Sequence, residues 1–166
     1  MIAYKFLAEG AVAPFTGFRW PVGEWVDAGR VEPCVSGIHA CMVEQLPYWL
    51  GRELWEVELA GEIVWQPRKV VGERGRLVRR HDGWNDGLRA AFATDLLERT
   101  RSRFGSVPLV SGYVVDIDRF RATGRVGLAA FAAARAAERS AGPRAYERER
   151  ARQAGWLADR LGLRSA

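Results

Sequence analysis

The run Glu53 to Ala60, ELWEVELA, alternates so strictly that it dictates the architecture around it. Trp55, Val57 and Leu59 fall on one side of an extended chain and Leu54, Glu56 and Glu58 on the other, which requires a sheet with one buried face. The neighbouring segments supply the partners. Ile2 to Leu7 suits a short strand, Ala13 to Val26 has the turn punctuation and aromatic alternation of a β-hairpin, and Gly37 to Cys41 reads as a further short strand. A brief helix is expected over Val43 to Leu50, with Pro47 near its first turn. Glu62 to Gln66, Lys69 to Gly72 and Arg74 to Arg80 continue the meander. The last of these would set the row Arg74, Arg76, Val78 and Arg80 against Glu56 and Glu58, with its arginines as cross-strand partners.

The period then changes. Trp84, Leu88, Ala91, Phe92 and Leu96 recur at helical spacing through Phe104, with Asp82 placed to cap the start. Val107 to Ile117, with its VVDI run, returns to strand, and the segment from residue 121 onward forms two Ala-rich helices broken at Ser140-Ala141-Gly142-Pro143 and ending at Gly162. The expected class is α+β: a mainly antiparallel twisted sheet, an amphipathic helix packed on it, and two C-terminal helices. Residues 1–120 form the core and 121–166 a helical hairpin packed on it, within a single domain.

A chain of 166 residues that is 48% hydrophobic buries one substantial core. No apolar run approaches the roughly 20 residues that span a bilayer, and MIAYKFLAEG lacks the pattern of a secretory leader, so a soluble, cytoplasmic protein without membrane contact is expected. Two cysteines are too few for a disulfide framework. The net charge of +5 sits in the tail: residues 1–118 sum to −2 and residues 119–166 to +7. Arginines along amphipathic helices form a solvated face, and the functional alternative is contact with nucleic acid or an acidic protein. Only Lys5 and Lys69 are lysine, a skew toward arginine and alanine that matches a GC-rich bacterial genome.

Pro33 to Gly61 concentrates the chemistry. Cys34, His39 and Cys41 give C-x4-H-x-C, with His81 as a distant fourth donor, but the spacing matches neither ligand pair of a tetrahedral zinc site, so Cys41 reads as a small buried hydrophobe. Cys34, in the turn Pro-Cys-Val-Ser-Gly, is the candidate nucleophile with His39 as its base; the ordinary reading is a packed turn residue. Glu56 and Glu58, about 7 Å apart on one strand face, have the separation of an acid/base pair, but the arginine row explains them without catalysis and is the favoured reading. Asp116 and Asp118 are read in the same way. Tyr4, Phe6, Phe15, Phe18, Trp20 and Trp25 crowd the first 25 positions; some line the core, and the rest can form a stacking wall for a planar ligand such as a nucleobase or nicotinamide. The chain has no phosphate-binding loop and no catalytic-triad signature.

GFRWPVGEW, PCVSGIHAC and ELWEVELAGEI, within residues 15–80, resemble a group of small uncharacterised bacterial and phage proteins that share a G-F/I-H-A-C element. A second resemblance is to the ADP-ribosyltransferase fold of the poly(ADP-ribose) polymerase type. Gly37-Ile38-His39-Ala40, the helix around Leu46 to Leu50, Leu54 to Gly61 and Gly112-Tyr113-Val114-Val115-Asp116 follow that family's order of elements. The resemblance implies that His39 takes the place of the nicotinamide-stacking tyrosine. Gly112 stands where the catalytic glutamate belongs, which implies a binder of NAD or a related nucleotide rather than a transferase. The expectation is a ligand-binding domain whose pocket is formed by Tyr4, Trp20, Trp25, Gly37 and His39, with zinc as the less favoured cofactor. A Cys/His-dependent thiol or metal enzyme and an interaction module built on the arginine-rich tail are the alternatives.

Overall fold

The computed structural model describes residues 1–163. It is α+β, with five strands, β1 (Ile2–Leu7), β2 (Trp25–Asp27), β3 (Ile38–Ala40), β4 (Glu53–Gln66) and β5 (Lys69–Arg80), followed by four α-helices. These are α1 (Asp86–Phe104), α2 (Ser111–Ala122), α3 (Val126–Ala141) and α4 (Pro143–Leu161). The sheet runs β1-β4-β5-β2, with β3 also on β5, and all pairs are antiparallel. Just past β3, Cys41 exchanges both backbone hydrogen bonds with Tyr4 of β1, each at 2.8 Å. The strands β1, β4, β5 and β3 thus close into a hydrogen-bonded ring.

Closure gives the sheet two apolar sides. Ala3, Leu7, Trp20, Ile38, Ala40, Trp55, Val57, Leu59, Val70 and Leu77 fill the inside of the ring. Tyr4, Phe6, Cys41 and Leu54 point outward and pack against the helices through Trp84, Phe92, Leu96, Ile117, Ala129, Ala133 and Leu157. The sheet thus carries buried residues on both sides, while Trp65 on β4 and Val78 on β5 remain exposed.

The expected Glu–Arg facing is present, with one adjustment. Arg76 pairs with Glu58 at 2.5 Å, as the row requires. A register shift between Glu56 and Val57 then brings Arg79, which lies off that row, opposite Glu56, also at 2.5 Å. Glu62 to Gln66 is continuous with Glu53 to Ala60 in one strand, carried past Gly61 at φ 77°. Lys69 to Arg80 likewise forms one strand. The aromatic segment forms only a small irregular hairpin, joined by Trp20 N–H to Ala11 O and Ala13 N–H to Phe18 O, and Trp25 begins a separate strand. The expected helix after Cys41 is a 3₁₀ turn, Val43–Tyr48, with Pro47 inside it.

The helices bring two corrections. Asn85, not Asp82, caps α1, accepting from Leu88 N–H at 3.0 Å, and Ala91 lies on the exposed side. Val107 to Ile117 is not a strand: Ser111 to Ala122 is helical. Tyr113, Val114, Ile117 and Phe120 fall at i, i+1, i+4 and i+7 and face the helix-side core, so tertiary burial overrides the β-branched run. The break at Gly142 and the left-handed cap at Gly162 stand as expected. No helix among the described residues is long and apolar enough to cross a membrane.

Glu53 anchors the aromatic loop from below. Its carboxylate accepts from Gly10 and Ala11 N–H, at 3.0 and 3.1 Å, and from Trp55 Nε1 at 2.9 Å. Burial pushes this carboxyl up, but the three donors and the charge of Arg80 outweigh it and hold the group below the usual carboxylate range. Replacing Glu53 by Ala should cost about 2–3 kcal/mol by stranding those donors, read as a lower denaturant midpoint at unchanged slope.

Candidate functional site

One end of the ring opens into a cleft of about 850 Å³. Its floor is β1 and β3, its walls are the aromatic loop, with Phe15, Phe18 and Trp20, and the Tyr48 to Arg52 segment, and its rim carries Cys34 and Lys69. Closure of the sheet at Tyr4–Cys41 is what lays His39 beside Lys5. Gly37 lets β3 approach β5: at φ 115° a Cβ there would stand 2.4 Å from Val71 Cγ1.

Both lysines of this arginine-rich chain lie in this cleft, and no aspartate or glutamate lines it. Lys5 alternates with Ala3 and Leu7 and therefore points to the inside of the ring. Its Nζ donates to His39 O at 2.5 Å and lies 5.2 Å from the centre of the Trp20 ring. Burial lowers its pKa to about 8, with Cys41 opposing. One carbonyl and one ring face do not satisfy the three donors of an ammonium.

Arg150 shows what a purely structural buried cation looks like here. Its guanidinium donates to Pro47 O, to Gln153 Oε1 and to the Tyr146 hydroxyl, and lies within 6 Å of the Tyr48, Phe131 and Tyr146 rings. Lys5 has no such enclosure and faces open space.

His39 is neutral at physiological pH, pushed down to about 4 by burial and then by the charges of Lys69 and Lys5. Its Nε2 accepts from the Cys34 backbone N–H at 3.2 Å, which places the ring proton on Nδ1. That contact removes His39 from the role of base toward the Cys34 thiol. Lys69 Nζ takes the place beside the sulfur instead, at 3.0 Å from Sγ, on an exposed Cys34 held at φ 72°.

The structure brings Cys34, Gly37, His39 and Trp20 together and leaves other sequence candidates outside. Tyr4 reaches the cleft wall, but its ring packs beside His81 in the helix-side core. Glu56 does not line the cleft: Arg79 holds it, and His81 Nε2 lies 3.2 Å from Oε1. Trp25 is exposed between Arg74 and Arg76, both within about 5 Å of its ring, because β2 pairs along the far part of β5. Asp116 and Asp118 pair with Arg119 and Arg121 on exposed α2. Cys41 is buried, its thiol pushed up to about 12 by burial, with Lys5 opposing. Among the described residues no group of three or more His, Cys, Asp or Glu side chains is placed to hold a metal ion.

Sequence reasoning passed over Lys5 and Lys69. The available signal was a charged residue at an inward position of an otherwise apolar strand, in a chain that elsewhere uses arginine. The chain matches no family model, no curated protein and no solved structure among those compared.

The His39 shift has a definite sign. The unfolded imidazole takes up its proton near 6.5 and the folded one near 4, so stability present above pH 6.5 is lost as pH falls toward 4. His39→Gln should flatten this part of the pH–stability curve, measured by urea midpoints. Buried His81, also held below its ordinary value, leaves a residual slope in the variant.

Proposed function

We propose that the protein is a ligand-binding domain whose cleft takes a small anionic ligand bearing a flat ring, of the nucleotide class that includes NAD. The observation that carries this reading is Lys5, a cation in an apolar ring with no carboxylate beside it, facing a cleft free of acidic side chains. Desolvating a charge without a partner is unfavourable by several kcal/mol, and an anion entering the cleft supplies the missing counter-charge. Lys69 adds a second positive group at the rim, and the exposed rings of Phe15 and Phe18 offer faces for stacking. His39, neutral and fixed through Nε2, contributes an imidazole face rather than a charge.

The ADP-ribosyltransferase resemblance supports the same ligand class through the Gly37–Ala40 and Leu54–Gly61 segments. It has no strand beneath it at Gly112–Asp116, which is helical. Contact with a polyanion through the C-terminal helices has less behind it. Arg135 and Arg152 are paired within the protein, Arg150 is buried, and exposed arginines on helices are ordinary.

Binding is tested by calorimetry and thermal shift against NAD, adenine mononucleotides and inorganic phosphate, with wild type and Lys5→Met side by side. A ligand at 100 times its Kd should stabilise the wild type by about 2.7 kcal/mol. Lys5→Met should abolish that shift while the unliganded variant stays folded and is no less stable, because it no longer desolvates a cation that lacks a counter-charge. Equal affinity in wild type and Lys5→Met, or no response to any member of the panel, overturns the reading.

A further inference from the structure

Cys34 and Lys69 meet at the rim of the cleft from segments far apart in sequence, one in the turn before β3 and the other opening β5. Nζ lies 3.0 Å from Sγ, a distance that leaves no room for an intervening group. The sulfur is exposed, so peroxide from solvent can reach it, and the lysine nitrogen is already at contact distance. Neither His39 nor Cys41 is placed to answer an oxidised Cys34. The Nε2 lone pair of His39 is occupied by the Cys34 N–H, and Cys41 is buried with its proton firmly held.

We propose that Cys34 and Lys69 form an oxidation-driven cross-link, in which hydrogen peroxide converts the thiolate to a sulfenic acid and the lysine amine then closes an S–N bond. The thiolate attacks one peroxide oxygen, the O–O bond breaks, and sulfur is oxidised by two electrons as the peroxide is reduced to hydroxide. Hydroxide takes a proton from the Lys69 ammonium and leaves as water. The freed amine attacks the sulfenyl sulfur, the S–O bond breaks, and the hydroxyl departs with an amine proton as a second water. One thiolate, one ammonium and one hydrogen peroxide thus give one sulfenamide and two waters. The bond ties the turn before β3 to β5 and removes one of the cleft's two lysine charges. If the cleft takes an anion, the oxidised form binds it less tightly; the cross-link itself does not depend on that reading.

The test exposes the full chain to equimolar hydrogen peroxide, followed by intact mass measurement and protease mapping. The expected product is lighter by two hydrogens, contains Cys34 joined to Lys69, and returns to the starting mass with dithiothreitol. Cys34→Ser should give no such product. Lys69→Arg should instead accumulate a sulfenic acid at Cys34 that dimedone captures. Sulfinic acid or an intermolecular disulfide at Cys34 with Lys69 unmodified, the same mass loss in Lys69→Arg, or a thiol left unreacted by peroxide overturns the proposal. These readouts involve no nucleotide, so they stand or fall separately from the ligand panel.

Discussion

Two backbone hydrogen bonds between Tyr4 and Cys41 turn an open antiparallel sheet into a ring, and the rest of the molecule follows from that closure. With β3 brought against β1, the even positions Tyr4 and Phe6 join Cys41 on the outer surface where the helices pack, and Ala3 and Leu7 turn inward. Lys5 turns inward with them. The carbonyl of His39 becomes its acceptor only because β3 lies alongside. Fold and site are thus consequences of one pairing: an open sheet would leave Lys5 in water and no cleft beside it.

The treatment of charge sets this cleft apart from the rest of the structure. Glu56 and Glu58 meet Arg79 and Arg76 across the β4–β5 pair, Arg152 lies between Glu149 and Asp95, and Arg52 meets Asp86. Even buried Arg150 has its guanidinium satisfied by carbonyl, amide, hydroxyl and ring faces. Lys5 has one carbonyl and one ring face, and burial lowers its pKa to about 8. That a protein which pairs so many of its charges leaves this one without a carboxylate is the ground for proposing that an anionic ligand completes the site. The neutral His39 beside it and the amine at Cys34 belong to the same electropositive pocket.

Much of the fold was legible in the sequence, for reasons that identify what was not. The alternation of Glu53 to Ala60 and the 3.6-residue spacing from Trp84 onward are local signals of burial; both elements form, the strand starting at Glu53 but running on to Gln66 and the helix ending at Phe104. The strand reading of Val107 to Ile117 failed because VVDI carries β propensity, whereas Tyr113, Ile117 and Phe120 are also spaced for a helix and the helix-side core decides between them. Ring closure is non-local and leaves no mark in any one segment. For that reason Cys34, Gly37 and His39, close in sequence, meet at the cleft, while Trp25, expected in the pocket, and Glu56, expected as half of a carboxylate pair, lie outside it. Their partners, Arg79, Arg74 and Arg76, were visible in the sequence, but the bulge at Glu56/Val57 and the pairing of β2 along β5 were not. Lys5 was visible as a rare lysine, and only its inward direction gives it meaning.

The claim at the centre of this account, that Lys5 is a half-buried cation awaiting a counter-charge, can be measured directly because the chain has just two lysines. Carbon-13 labelling at lysine Cε gives two NMR signals, and Lys5→Met assigns them by loss of one. The account predicts that the Lys5 signal titrates near pH 8 in the free protein, well below the ordinary 10.5, and moves upward when an anionic ligand binds. A Lys5 signal that titrates at the ordinary value and ignores every anion would contradict it.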